Sequence, residues 1–583
     1  MKIVTIKRLI NTMESKTKKC QNCHKEFIIE PEDFEFYKKI DVPEPTFCPE
    51  CRMQRRLAWH NEVFPYKRKC DFSGKDIFSM YRPNNSFKVY HEKIWWSDKW
   101  DPLEYGRDYD FNRSFFEQFY ELLLDVPRLS SLSVGSVNCD YCILTLNSKD
   151  CYMALANISE NCMYGSYFKS NGCIDCLFAS VKNENCYECV DCSNNFNLLF
   201  SQYADDCIDS AFLYSCRNCQ NCFGCVNLRN KKYYIFNKSY SKENYQKEIA
   251  KYDLGKFKDL LRIKKKFEQL KLVLPRKFAS IFHSENVNGD NISNAQNCHF
   301  CFDALLNIEN CKYVFVAGNN LKDSYDLYDV GSGSELIYDS IEVGSGRGSY
   351  RVFFSYMVFG SRNIEYSNNC FSSSNLFGCT GLRHKKYCIL NKQYTKKEYE
   401  KLVSEIKKQM NEFPYIDKNK NIYKYGEFFP IELSLFGYNE SKAGEYYPLT
   451  KKEAIANGFN WHSSTRQRKY QSTTKAKDLP DDIEKVDKSI LKEVIKCASQ
   501  DCLGSGVFKI TPKELKFYKE KKIALPRLCF HCRHRERIKQ KYPLKLWERQ
   551  CMNKGCNNTF QTTYSPDRKE IVYCEDCYNE EVG

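Results

Sequence analysis

Six pairs of closely spaced cysteines constrain this chain more than any other feature. Cys20 with Cys23 and Cys48 with Cys51 lie near the N-terminus; Cys497 with Cys502, Cys529 with Cys532, Cys551 with Cys556 and Cys574 with Cys577 lie near the C-terminus. A tetrahedral zinc ion takes four thiolate or imidazole ligands, and two knuckles separated by a loop each place two thiolates on one ion. The spacing predicts three zinc sites of four cysteines, the first knuckle being widened to C-x4-C in both C-terminal sites. Buried thiols alone would not need pairing at domain-sized spacing. Iron suits the same thiolate geometry, and spacing does not exclude it. With four protein ligands no coordination position stays open, so the sites read as structural rather than hydrolytic.

The chain also aligns with itself twice, which points to repeated units. A constant shift of 481 residues lays FIIEPEDFEFYKKIDVPEPTFCPECRMQRR, from Phe27, on FKITPKELKFYKEKKIALPRLCFHCRHRER, from Phe508, without a gap. A shift of 154 lays FGCVNLRNKKYYIFNKSYSKENY, from Phe223, on FGCTGLRHKKYCILNKQYTKKEY, from Phe377, and NCDYC at Cys139 is echoed by NCHFC at Cys298. Each central module closes with a predicted helix, because Ser241 and Thr395 are N-cap residue types and Glu398 completes a capping box. FKDLLRIKKKFEQLKLVLP, from Phe257, reads as a linking helix ended by Pro275.

The two aligned end segments resemble the probable zinc-ribbon domain family of bacteria: C-x2-C, an aromatic residue, a short acidic segment with Phe-Tyr, then P-x-x-C-x2-C-R, over residues 20–52 and again over 508–533. The last stretch, CMNKGCNNTFQTTYSPDRKEIVYCEDCYNEEV, resembles the related ribbons that close many uncharacterised bacterial proteins. The resemblance covers a minor part of the chain and implies zinc binding only.

The central cysteines recur as Asx or Gly followed by Cys, as at Cys151, Cys162, Cys173, Cys186 and Cys207. Short polar turns at such regular intervals, without a long helical pattern, predict rungs of a β-solenoid whose cysteines stack as an interior ladder. Cys216, Cys219, Cys222 and Cys225 carry iron–sulfur-like spacing. The shift of 154 places Cys370, Ser373, Leu376 and Cys379 at those positions, which speaks against a cluster. Zinc shared among Cys173, Cys176, Cys186 and Cys189 is the other alternative.

A formal net charge of +15 attracts polyanions. Arg52, Arg55 and Arg56, with Arg533, Arg535, Arg537, Lys539 and Lys541, crowd the stretches after the second knuckles and are the candidate phosphate contacts for nucleic acid or a nucleoprotein. A solvated helix face or ribbon packing is the alternative. No stretch approaches the ~20 apolar residues of a membrane helix, and no secretory signal is visible. Together these predict a cytoplasmic protein without a membrane partner, in which paired cysteines mean metal more often than disulfides.

Catalytic signatures are sparse. Asp98, Asp101, Asp108 and Asp110, in a Trp- and Tyr-rich segment, could include an acid–base pair for carbohydrate chemistry, or simply brace the packing. Gly331 to Gly348 lacks the closing Lys of a phosphate loop and reads as solenoid turns. The predicted fold is a mainly β, multidomain chain with zinc ribbons at both ends of two duplicated β-solenoid modules carrying short helices. Its expected parts are ribbon 1–62, aromatic segment 63–130, solenoid 131–255, helix 256–284, solenoid 285–412, connecting segment and linker 413–490, and ribbons 491–545 and 546–583. The expected function is a zinc-binding scaffold that docks on nucleic acid, a nucleoprotein or other proteins. A polymer-acting enzyme or a purely structural interaction module are the alternatives.

Overall fold

The computed structural model describes residues 14–181, 183–344, 346–462 and 470–582. It is mainly β, with two solenoids and cysteine clusters near both ends. Part of the polar linker expected after Trp461 lies outside the described residues.

The predicted parts regroup into two compact units, each discontinuous in sequence. The first unit gathers the described residues of Met1–His60, Asn85–Arg128 and Ile281–Trp461; the second gathers those of Asn61–Asn84, Leu129–Ser280 and His462–Gly583. The N-terminal ribbon therefore shares a unit with the second solenoid, and the two C-terminal ribbons share one with the first. Small ribbons have too little core of their own and bury an apolar face on a neighbour.

The solenoids are built from parallel pairings 11 to 15 residues apart. Phe196 pairs with Ile208 and Gln220 with Lys232 in the first, and Lys322 with Glu335 and Ser374 with Lys386 in the second. From Asn185 to Phe236 every third residue has a left-handed φ. With partners 12 residues apart, that spacing gives each turn four corners. Asn, Asp and Gly adopt this conformation at least cost, which explains the Asx-Cys and Gly-Cys dipeptides.

The residue after each corner points inward. Cys216, Cys219, Cys222 and Cys225 follow the corners Ser215, Asn218, Asn221 and Gly224, and all four are buried. They are the inward residues of a single turn, one per side. Inward thiols lie against carbonyls that already accept an inter-turn amide: Cys219 Sγ lies 3.4 Å from Arg217 O and 3.5 Å from Leu228 O. In the second solenoid serines take such places. The hydroxyls of Ser340, Ser355 and Ser367 accept in succession from the amides of Ser355, Ser367 and Cys379, each at 3.1 Å. A narrow interior favours small side chains that can satisfy backbone groups.

The closing helices form as the sequence predicts. Ser241 Oγ caps the helix Lys242–Ile249, and Thr395 and Glu398 make a capping box on Lys396–Glu412. The helix Phe257–Val273 buries Leu260, Ile263 and Phe267 in the same core as Phe212 and Phe223 of the first solenoid. Gly224 and Gly378 sit at equivalent left-handed corners, where a Cβ would meet the Phe236 ring at 2.6 Å and the Phe115 ring at 2.8 Å. Among the described residues no helix is long and apolar enough to cross a membrane.

Candidate metal centres and the ribbon–solenoid junctions

Three tetracysteine groups form as the sequence spacing predicts: Cys20, Cys23, Cys48 and Cys51; Cys497, Cys502, Cys529 and Cys532; Cys551, Cys556, Cys574 and Cys577. In each, the four sulfurs lie within 4.8 Å of one another. A metal–sulfur bond of ~2.3 Å in a tetrahedron requires sulfurs about 3.8 Å apart. Sulfur pairs in each group match: Cys23 to Cys48 at 3.7 Å, Cys502 to Cys529 at 3.5 Å and Cys556 to Cys574 at 3.8 Å. The donor set therefore fits a metal ion, and the widened knuckles deliver Cys502 and Cys556 as well as a two-residue spacing would.

Local folding explains the fit. The second knuckle of the first two ribbons straddles a helix start: Cys48 caps Pro49–Leu57 and Cys529 caps Phe530–Ile538. Positive helix ends favour thiolates. Backbone amides point at the sulfurs too, with Cys48 N donating to Cys20 Sγ at 3.2 Å, Cys529 N to Cys497 Sγ at 3.3 Å and Cys574 N to Cys551 Sγ at 3.2 Å. Cys70 occupies a hairpin of the same backbone design, its N–H donating to Lys75 O as that of Cys20 does to Lys25 O. There Ser73 stands where Cys23 stands in the knuckle, so the hairpin has one thiol rather than two.

The arginines expected to contact phosphates are mostly interior. In the first unit Arg52 pairs with Asp326 at 2.9 Å, Arg55 with Asp339 at 2.9 Å and Glu427 at 3.0 Å, and Arg56 with Asp326 at 3.2 Å and Asp339 at 2.5 Å. None of these groups exposes more than 4% of its side chain. In the second unit Arg533 and Arg537 each reach Asp175 at 2.9 Å. Lys541 reaches Asp191 at 3.0 Å. Arg535 bonds to Asp501 O and to Ser499 Oγ at 3.1 Å each, and Lys539 is exposed beside Glu536. Six of the eight expected cations, Arg52, Arg55, Arg56, Arg533, Arg537 and Lys541, thus hold the ribbon to its solenoid instead of facing solvent. The cause is a row of acidic corner residues on the solenoid.

The two junctions correspond residue by residue through the 481 shift. Arg52 donates to Phe47 O at 2.7 Å and lies 5.4 Å from the Tyr313 ring; Arg533 donates to Leu528 O at 3.0 Å and lies 5.1 Å from the Tyr164 ring. Phe36 and Tyr37 pack on Tyr338 at 5.8 and 5.6 Å, as Phe517 and Tyr518 pack on Tyr187, both at 5.7 Å. His60 meets Glu342 at 3.0 Å where Lys541 meets Asp191. Burial pushes the Glu514 carboxyl up against the pull of Arg533. Buried pairs add little net stability, but they fix register, because a shifted ribbon would strand a charge.

The central cysteines are not in the metal-competent groups found among the described residues. Burial pushes the Cys370 and Cys388 thiols up to about 12, which suits neutral donors. In the aromatic segment, Asp101 accepts from Leu103 N at 3.0 Å, Asp110 from Asn112 N at 2.9 Å, and Asp108 pairs with Lys392 at 2.6 Å. Trp95 and Trp96 pack on Phe371, and Phe115 on Phe377, so the segment braces the second solenoid.

No protein-family model matches the chain, and no curated protein matches it. Among solved structures it is similar to a putative acetyltransferase from Desulfovibrio desulfuricans G20, at 8% identity and a TM-score of 0.10. The likeness covers 42% of this chain and 62% of that one, and at such a score it carries no functional argument.

Proposed function

We propose that the chain is a zinc-dependent binding scaffold of the cytosol, in which structural zinc closes three ribbons and two ribbons clamp solenoid turns into rigid surfaces. The observation that carries this reading is the closed four-thiol geometry, which leaves no position for substrate. Thiolate sites of this kind persist in a reducing compartment. Attraction to a polyanion rests on the charge of +15 rather than on the ribbon arginines, which are already paired.

Metal counting by mass spectrometry on protein purified without added metal tests the reading. Near three zinc ions per chain is the expected result, with hydrogen exchange accelerating first in the ribbon helices on chelation. Iron in place of zinc, or exchange unchanged on metal removal, would overturn it.

A further inference from the structure

The second unit holds a cavity of about 510 Å³, within the range of small-molecule sites. Its walls come from the first solenoid, the helix Phe257–Val273 with the strand after it, and both C-terminal ribbons. Eight lysines and arginines line it against four glutamates. Asp175, Asp191 and Glu514 pair with lining cations from behind, so one positive charge remains in surplus.

Most cations have a carboxylate at hand. Lys264 meets Glu188 at 2.8 Å, Lys271 meets Glu268 at 3.0 Å, and Arg568 pairs with Glu570. Arg276 differs. Among the described residues no carboxylate lies within ion-pairing distance of it, its side chain is 7% exposed, and its Nε has no hydrogen-bond partner. The guanidinium lies 4.3 Å from the Tyr214 ring centroid and 5.8 Å from that of Tyr564, held there by its Nη2 bond to Lys271 O and by the Tyr564 hydroxyl, with the Glu570 charge nearby. Burial holds the neighbouring Lys271 ammonium below its ordinary value, a cost that an incoming anion relieves. On another part of the wall, Tyr203 and Tyr542 stack on each other, nearly parallel at 11° with centroids 5.8 Å apart.

We propose that this cavity binds a small phosphorylated ligand with a planar ring, of the nucleoside monophosphate class, its phosphate at Arg276 and its base against Tyr203 and Tyr542. Buried arginine forks suit phosphate oxygens, and stacked aromatics suit any base. The site is independent of the scaffold reading, since no part of it is a metal ligand.

Calorimetric titration of the metal-loaded full chain with AMP, and separately with inorganic phosphate, tests the assignment. Saturable AMP binding at least tenfold tighter than that of phosphate is expected, with Arg276→Gln weakening both at least tenfold and Tyr542→Ala weakening AMP alone. Because Arg276 also supports packing, Lys264→Gln with Lys539→Gln, at more exposed lining positions, serves as a second variant and is expected to weaken AMP several-fold with the fold intact. No saturable AMP binding at millimolar concentration, or binding unchanged by both variants, would overturn the proposal. Equal affinity for AMP and phosphate would overturn the role given to the ring.

Discussion

The two ribbon–solenoid junctions share their central contacts yet close differently. In the first unit Arg52, Arg55 and Arg56 face Asp326, Asp339 and Glu427, and the charges cancel within the protein. In the second, Glu536 stands where Arg55 stands, and Lys264 satisfies Glu188, the counterpart of Asp339. Arg533, Arg537 and Lys541, though paired with Asp175 and Asp191, also line a cavity. One docking core thus yields a sealed junction or an open one, depending on what packs beside it.

The largest way to break the comparison is to remove a metal ligand. Structural zinc supplies roughly 10–16 kcal/mol in small ribbons. Cys48→Ser and Cys529→Ser are each expected to lose one metal per chain and the exchange protection of their own ribbon helix, read by native mass spectrometry and hydrogen exchange. Breaking a buried pair comes next: Asp326→Ala leaves Arg52 uncompensated and Arg56 with Asp339 alone, at a cost of about 3–5 kcal/mol. Asp175→Ala is expected to cost a similar amount, since Arg537 loses its carboxylate while Arg533 keeps Glu514 at 3.7 Å. Local opening free energies from hydrogen exchange would read both. Phe36→Ala and Phe517→Ala should cost similar amounts, about 3–5 kcal/mol each, because they fill equivalent places on Tyr338 and Tyr187. The smallest effect is Thr395→Ala, which loses one cap at about 1 kcal/mol; the start of Lys396–Glu412 should exchange faster and nothing else should change.

Much of this was legible in the sequence, and the limits have physical causes. The knuckle cysteines were readable because four ligands per ion impose spacing that few other features share. The solenoid was readable from Asx-Cys recurrence, although that pattern did not reveal a corner at every third residue, since Tyr, Phe and Ser also occupy corners. The acidic partners of the arginines were hidden by turn length. Glu335 pairs with Tyr350 across 15 residues, whereas Glu184 pairs with Phe196 across 12. Upstream of that turn the shift between modules falls from 154 to 151, so Asp326 and Asp175 do not align in a constant-shift comparison. The arginine clusters looked like polyanion contacts because sequence shows charge without its burial. Their pairing is long-range, and neither repeat alone announces which solenoid each ribbon meets.

The equivalence of the junctions is tested most directly by paired substitution. Arg52→Met and Asp326→Leu, singly and together, and Arg533→Met with Asp175→Leu, form two double-mutant cycles read by hydrogen exchange of the ribbon helices Pro49–Leu57 and Phe530–Ile538. Coupling of roughly 0.5–3 kcal/mol in both cycles is expected for contacting charges. Additive single effects in either cycle would contradict a shared docking core.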